Sequence, residues 1–184
     1  MKDLSLNLLD IAENSVKAEA TLTQLLLTQE GDILTFQVVD NGRGMTEEIL
    51  KGVVDPFYTT RTTRKVGMGL PLLRMAAEMT GGTMEVESRH RDAYPDNHGT
   101  VVTAVFHTDH IDCPPVGDMV ATVTTLIQGH PDTDFLFRHT FGDTVVELDT
   151  RQLREVLGEV SLAEYEVLQW ISGYLTDQYN GQQA

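Results

Sequence analysis

Hydrophobic and polar positions recur along the chain with two periods, and these periods predict its helices and strands. From residue 3 to 18, apolar and small residues recur every three or four positions, which predicts a helix with one buried face. Alternating segments predict strands at 22–28 and 33–39, joined by a tight turn. Further along, the pattern predicts a helix at 70–79, closed by two glycines, and strands at 83–88 and 99–106.

The pattern restarts beyond residue 106, so we predict a first domain at residues 1–106 and a small α+β unit at residues 107–184. The second unit contains predicted helices and strands at 116–127, 134–140, 144–148, 151–157 and 162–179. The sequence leaves open whether this unit folds separately or extends the first sheet. Trp170 and Tyr174 lie one helical turn apart, and we expect them to pack in the core of the unit, with a partner-binding surface as the alternative.

The charge of the chain excludes some classes of function. Its 184 residues carry a formal net charge of −15, which disfavours binding to nucleic acid or to anionic membranes. No apolar run approaches the roughly 20 residues that span a bilayer. The N-terminal residues lead into an amphipathic pattern without the apolar stretch of a signal peptide, so we expect none. Cys113 is the single cysteine and cannot form an internal disulfide. We therefore expect a cytoplasmic protein.

The first predicted helix carries a polar stripe beside its apolar face. Asp10, Asn14 and Lys17 follow one another at helical spacing, so they lie on nearly the same side. A carboxylate, an amide and an ammonium on one stripe can hold a metal ion and a phosphate together. An ordinary solvated face is the alternative for this segment alone.

Three glycine-containing segments follow. At the end of a predicted strand stands Asp40-x-Gly42-x-Gly44, where an aspartate can accept a hydrogen bond from an exocyclic amine and small residues allow close approach of a flat ring. Gly67-Met68-Gly69-Leu70 precedes a helix, and glycines there present free N–H groups to an anion. Gly99-Thr100 opens a strand and by itself indicates little.

Taken together and in this order, the segments resemble the GHKL superfamily of ATP-binding domains, which includes gyrase, heat-shock chaperones, histidine kinases and MutL. Residues 55–61, Asp-Pro-Phe-Tyr-Thr-Thr-Arg, add a fifth matching segment, and the resemblance covers residues 3–106. It implies an α+β fold of the Bergerat type, a two-layer sandwich in which helices back a mixed sheet, with the second unit as a small C-terminal extension.

The resemblance also implies roles for single residues. Asn14 would be the Mg²⁺ ligand, Lys17 would contact a phosphate, and Asp40 would recognise the adenine amine. A lid over the phosphates would span residues 59–68, where basic residues are concentrated. The other residues expected to bind ATP are Gly42, Gly44, Met45, Phe57, Arg61, Lys65, Gly67, Met68, Gly69, Leu70 and Thr100.

Asp10 stands where ATP-hydrolysing relatives place a glutamate, so it is the candidate catalytic base. The six histidines lie in predicted loops or in the second unit, and no phosphoacceptor hairpin is evident. The leading hypothesis is therefore a histidine kinase-like domain that transfers phosphate to a protein partner. An ATPase switch with Asp10 as base and a nucleotide sensor without turnover remain alternatives, and the sequence does not indicate the oligomeric state.

Overall fold

The computed structural model describes residues 3–54 and 69–181. In chain order, these residues form α1 (Leu4–Lys17), β1 (Leu22–Glu30), β2 (Ile33–Asp40), α2 (Glu47–Val54), α3 (Gly69–Met79), β3 (Thr83–Arg89), β4 (Gly99–His107), α4 (Met119–Gly129), β5 (Asp134–Phe141), β6 (Thr144–Asp149), α5 (Thr150–Leu157) and α6 (Tyr165–Gly181).

Helix α1 begins where the side chain of Asp3 caps it. The Asp3 Oδ1 accepts a hydrogen bond from the backbone N–H of Leu6 at 3.0 Å, which satisfies one of the free donors at the helix N-terminus. The buried face of the helix carries Leu4, Leu8 and Ile11, as the periodicity predicts. That face packs on the sheet, so the polar stripe beside it is held in a fixed orientation.

The strands form a mixed six-stranded sheet with the order β3-β4-β2-β1-β5-β6. Neighbouring strands are antiparallel except for β1 and β5, which are parallel. Large side chains from one face, such as Phe36, Phe106 and Phe137, are buried against the helices in one continuous core. The structure therefore confirms the predicted α+β sandwich of a mixed sheet backed by helices.

The C-terminal strands extend the sheet of the first unit. Strand β5 pairs with β1 over eight residues, from Leu22 opposite Asp134 to Gln29 opposite Phe141. Side chains of α6, including Ile171 and Leu175, belong to the same core as those of α1. This pairing answers the question that the sequence left open, while the division at residue 106 into two domains stays a prediction.

Two predicted helix starts in the C-terminal region are wrong. The helix predicted from residue 116 begins at Met119, because Gly117 has a φ of +82° and the side chain of Asp118 caps the helix through the Ala121 N–H at 3.0 Å. The helix predicted from residue 162 begins at Tyr165. Leu162 lies in the turn before this helix, and its side chain is buried in the core. Its apolar side chain therefore fits the helical pattern although the residue is outside the helix.

The predicted core packing of Trp170 and Tyr174 is also wrong. Helix α6 buries Val167, Ile171 and Leu175, which lie on the adjacent stripe. Trp170 is 52% exposed and Tyr174 is 41% exposed. In the described part of the chain, no helix is both long and apolar enough to cross a membrane.

Candidate functional site

A cavity of about 230 Å³ lies between helix α1 and the ends of strands β2 and β4. Among the described residues, five elements and their connections contribute to its walls, so the site depends on the tertiary fold and not on a single loop. The lining residues are Ile11, Asn14, Ser15, Lys17, Ala18, Asp40, Arg43, Gly44, Met45, Ile49, Leu70, His90, Thr100 and Val102.

Strands β2 and β4 form the floor of the cavity, and β1 lies on the other side of β2. Asp40 is the last residue of β2, and it stands opposite Thr23 of β1 and Thr100 of β4. Residues paired across strands share one face of a sheet, and here that face is the one covered by helices. The carboxylate of Asp40 is thereby placed at the edge of the core, half-buried under α1.

Two hydrogen bonds fix the Asp40 carboxylate. The hydroxyl of Ser15 in α1 donates to Oδ2 at 2.6 Å, and the backbone N–H of Gly42 donates to Oδ1 at 2.9 Å. Each oxygen of a carboxylate can accept more than one hydrogen bond, so both keep acceptor capacity for a further donor. The carboxylate is therefore an oriented acceptor at the cavity wall.

The loop after β2 is pressed against the protein's own backbone. An added Cβ on Gly44, whose φ is +73°, would lie 2.0 Å from the carbonyl oxygen of Arg89. The next residue, Met45, is held by a hydrogen bond from its N–H to the hydroxyl of Ser88 at 2.7 Å. The side chain of Ser88 also bonds to the hydroxyl of Thr100 at 2.8 Å. These contacts join the loop to β3 and β4. The tight packing against Arg89 is therefore a second reason for glycine at position 44, besides the close approach of a flat ring.

Gly99 is required by the approach of β4 to β2. Its φ is +144°, and an added Cβ would lie 2.0 Å from the carbonyl oxygen of Asp40. Gly99, whose segment indicated little by itself in the sequence, thus allows Thr100 to lie beside Asp40. The segment after β3 also closes over the same loop: His98 Nδ1 hydrogen-bonds to the carbonyl of Gly42, and the Arg91 N–H donates to the carbonyl of Arg43 at 2.8 Å.

Two residues of the polar stripe of α1 line the cavity, and the third lies beside it. Asn14 and Lys17 line the cavity. Asp10 is half-buried one turn earlier, outside the set of lining residues in the described parts of the chain. It lies beside the first residue of α3, where a Cβ on Gly69 would be 3.5 Å from the Cβ of Asp10 and 4.0 Å from Nδ2 of Asn14. The N-terminus of α3 therefore abuts the stripe.

The cavity has an apolar wall and a basic mouth. Ile11, Met45, Ile49, Leu70 and Val102 supply the apolar surface, which suits the face of a heterocyclic base. The cationic side chains of Lys17 and Arg43 line the same cavity and are exposed. Because the chain has a net charge of −15, local cations are needed to attract an anion to the cavity.

Five predicted site residues lie outside the described residues: Phe57, Arg61, Lys65, Gly67 and Met68. Their roles stay predictions. The roles of the other predicted residues also stay predictions, although the structure brings most of them to one cavity.

Sequence reasoning missed several residues of the cavity. Ser15 had a signal, since a serine on an apolar helical stripe needs a buried partner, and Asp40 is that partner. Arg43 stands between the two glycines of the loop, at a position that the motif leaves unspecified. His90 gave no signal, because it comes from a polar segment whose position depends on the pairing of β3 with β4.

A magnesium ion would have few protein ligands here. Within residues 3–54 and 69–181, no group of three or more acidic, histidine or cysteine side chains could hold a metal. This fits Mg²⁺, which binds through one or two protein groups and the phosphates of its nucleotide. Among the described lining residues, the amide oxygen of Asn14 would be a protein ligand of such an ion.

Comparison with known proteins places the chain in a family. Residues 2–110, more than half of the chain, match the family described as histidine kinase-, DNA gyrase B-, and HSP90-like ATPase. The chain belongs to this family. It is thus an ATP-binding domain of the histidine kinase-like ATPase type.

Relatives among sensor kinases cover the same region. The chain is 32% identical over 99 residues to sensor histidine kinase YvrG of Bacillus subtilis, which is 50% of this chain and 16% of that protein. It is 30% identical over 105 residues to sensor protein ChvG of Agrobacterium fabrum, or 54% of this chain and 17% of that protein. The chain thus spans about a sixth of the length of these relatives.

A solved structure agrees with the fold over a longer stretch. The ATPase domain of Aquifex aeolicus MutL, complexed with ADP, superposes with a TM-score of 0.56 at 15% identity. The match covers 85% of this chain and 69% of that one. At this identity the likeness shows the fold alone, and it confirms the Bergerat-type architecture.

Proposed function

We propose that this histidine kinase-like domain binds Mg-ATP in the cavity under α1 and passes the γ-phosphate to a residue of a partner protein. The observation that carries the proposal is the convergence of Asp40 and Asn14 on one cavity, with the Asp40 carboxylate held by Ser15. An oriented carboxylate and an amide at the two sides of an apolar cleft suit the two ends of a nucleotide.

At the adenine end, Asp40 would accept a hydrogen bond from the 6-amino group. Support comes from a second group beside it. Thr23, the strand neighbour of Asp40, is fully buried, and its hydroxyl lacks a hydrogen-bond partner among the described residues. Thr23 does not line the cavity, and buried hydroxyl groups are nearly always bonded, so a buried water molecule is expected at its hydroxyl. Such a water molecule would join Thr23 to a base bound at Asp40.

At the phosphate end, three features of α1 and α3 would act together. Asn14 would hold Mg²⁺, which neutralises phosphate charge when bound. Lys17 would contact a phosphate oxygen at the cavity mouth. The N-terminus of α3 at Gly69 lies beside Asn14, where the helix dipole favours negative charge. In the transfer, a nucleophile of the partner forms a bond to the γ-phosphorus, the bond to the bridging oxygen breaks, and ADP leaves.

An external acceptor is supported by the places of the histidines. In the described residues, none of the six lies within a helix, where a kinase-type phosphoacceptor would stand. His98 is engaged with the loop after β2, and His139 is buried on β5.

The partner would dock on helix α3, beside the phosphate end of the cavity. Helix α3 starts at the cavity and exposes Leu72, Met75 and Met79 to between 43% and 51%. Their spacing puts the three side chains on one face of the helix. Such an apolar stripe beside the phosphates would bring a partner's acceptor residue within reach.

An ATPase switch is the second candidate, because of Asp10. Its carboxylate stands one turn before Asn14, and its Cβ lies 3.5 Å from the position of a Cβ on Gly69. A water molecule activated there would attack the γ-phosphate, and the N-terminus of α3 would sense the loss of the phosphate.

Incubation of the purified chain with γ-labelled ATP and Mg²⁺ separates these candidates. The first arm adds an ATP-depleted extract of the source cells, and the second contains the chain alone. Phosphoryl transfer predicts a labelled protein other than the chain, with label lost in Asn14→Ala and retained in Asp10→Asn. Hydrolysis predicts released phosphate in the second arm, lost in Asp10→Asn although ATP binding is kept. Absence of both labelled protein and released phosphate would contradict the two proposals and leave nucleotide sensing.

A further inference from the structure

The C-terminal helix α6 exposes a stacked pair of aromatic side chains. The rings of Trp170 and Tyr174 are 4.8 Å apart between centroids and 10° from parallel, although both side chains face solvent over about half their surface. The pair is not needed by the core, which α6 reaches through Val167, Ile171 and Leu175. An exposed, ordered aromatic surface is typical of a protein–protein contact.

A glycine between the two aromatic residues makes a notch in the same face. Gly173 lies within α6, where glycine destabilises a helix by roughly 1 kcal/mol relative to alanine. A Cβ added there would meet nothing within 4 Å in the described residues, so no contact with them requires glycine. At helical spacing, Gly173 shares a face with Trp170 and Tyr174. The notch would let the backbone or a side chain of a partner approach the rings closely.

The charges along α6 and the segment before it have one sign. Glu166 and Asp177 lie on the same helical face as Trp170 and Tyr174, and both are exposed. From residue 155 to 181 the chain holds five acidic residues and no lysine, arginine or histidine. Because the net charge of the chain is −15, this face repels a second copy and attracts a cationic partner.

The mode of docking is restricted by the neighbouring edge strand. The side-chain amide of Gln178 donates to the carbonyl of Glu147 at 3.0 Å, and its oxygen accepts from the Glu147 N–H at 2.9 Å. These two bonds occupy backbone groups at the free edge of β6, so they oppose the addition of a partner strand there. A partner would therefore engage the side chains of the α6 face.

We infer that the face formed by Glu166, Trp170, Gly173, Tyr174 and Asp177 is a docking site for a basic segment of a partner protein. Arginine is the preferred anchor, because a guanidinium stacks on an aromatic face and pairs with a carboxylate at the same time. The inference does not depend on the proposed phosphoryl transfer, since no residue of this face lines the nucleotide cavity.

The single tryptophan of the chain gives a direct readout, since Trp170 fluorescence reports on this face alone. The probe is a short synthetic peptide with leucines at helical spacing and arginines between them, titrated into the full chain. We expect a saturable shift of Trp170 emission that weakens with added salt. A peptide with glutamate in place of arginine should give no shift. Absence of a saturable shift up to millimolar arginine peptide would overturn the inference.

Variants that keep Trp170 locate the binding. Tyr174→Ala and Gly173→Leu should each weaken the arginine peptide roughly five- to tenfold. Tyr165→Ala, which removes a 74% exposed aromatic ring from the same helix, is the matched control and should change nothing. Unchanged ATP affinity in all three shows that they fold. Equal affinity of all variants for the arginine peptide would refute the site. A dimer in analytical ultracentrifugation that Tyr174→Ala abolishes would also refute it, because that result assigns the face to a second copy of the chain.

Discussion

The glycines around the cavity under α1 and those of the C-terminal region have opposite surroundings. A Cβ on Gly42, Gly44 or Gly99 would come within 2.8 Å of a backbone oxygen. In the described chain beyond residue 118, a Cβ on any glycine would meet nothing within 4 Å. The cavity is therefore built from backbones in contact, whereas the C-terminal region is built from side chains packed on a sheet. Tolerance to substitution should differ accordingly.

The largest effect is expected for Gly99→Ala. The methyl group would overlap the carbonyl of Asp40, and a φ of +144° is strained for alanine. We expect a loss of about 3 kcal/mol or more in the free energy of unfolding, measured by urea denaturation. Gly129→Ala, at an open position, is the control and should stay within about 0.5 kcal/mol. Equal stability of the two variants would show that β2 and β4 do not approach as described.

The two regions also differ in their polar side chains near the core. Near the cavity the carboxylate of Asp40 is bonded by two donors, whereas in the C-terminal region His139 is only 6% exposed and shares a 2.8 Å hydrogen bond with Tyr179. Burial lowers the pKa of His139 from 6.5 to about 4. The unfolded chain therefore binds more protons between these pH values, so stability should be complete above pH 6.5 and fall as the pH drops towards 4.

The loss attributable to His139 is on the order of 2–3 kcal/mol. It is measured as the difference in urea midpoints between neutral and acidic pH for the native chain and for His139→Asn. The variant starts less stable, but it should lose less stability on acidification. Parallel pH profiles for the two proteins would contradict a neutral buried His139.

A smaller effect is expected for Ser15→Ala. The substitution removes the donor to Asp40 Oδ2 and leaves the carboxylate bonded to the Gly42 N–H. At about 1 kcal/mol for one hydrogen bond, ATP binding should weaken roughly fivefold. Titration calorimetry with ATP measures this change, and Ser172→Ala on α6 is the control that should not alter affinity. A larger loss than in Asp40→Asn would mean that Ser15 contacts the nucleotide itself.

The smallest effect, and the only gain, is expected for Gly173→Ala. Alanine favours the helix and meets open space, so the free energy of unfolding should rise by about 0.5–1 kcal/mol. Thermal unfolding followed by circular dichroism detects this rise. A destabilised variant would show that Gly173 is packed against another part of the protein, which would also remove the notch on α6.

The sequence predicted most helices and strands because their periods are regular. It could not predict that β5 would lie parallel to β1, because alternation in a strand fixes its buried face but not its neighbour. The prediction that Trp170 packs in the core failed for a similar reason. Helix α6 has two adjacent apolar stripes, and only the packing against the sheet decides that Ile171 is inside and Trp170 outside.

The meeting of Asp40 and Asn14 at one cavity could be expected from the sequence, because each belongs to a motif with its own chemistry, while their roles stay predictions. The site was not predictable where a residue acts through tertiary contact. Ser15 reaches Asp40 across 25 positions of sequence, and Gly99 is required by a carbonyl 59 positions earlier. His90 reaches the cavity only because β3 pairs with β4.

Calorimetric titration of ATP, with and without Mg²⁺, into the native chain, Asp40→Asn and Asn14→Ala tests the central claim most directly. Asp40→Asn should weaken ATP about tenfold or more under both conditions, because the adenine contact is independent of the metal. Asn14→Ala should abolish only the gain in affinity that Mg²⁺ provides. Native affinity in Asp40→Asn, or no binding by the native chain at millimolar ATP, would contradict an ATP site built on Asp40 and Asn14.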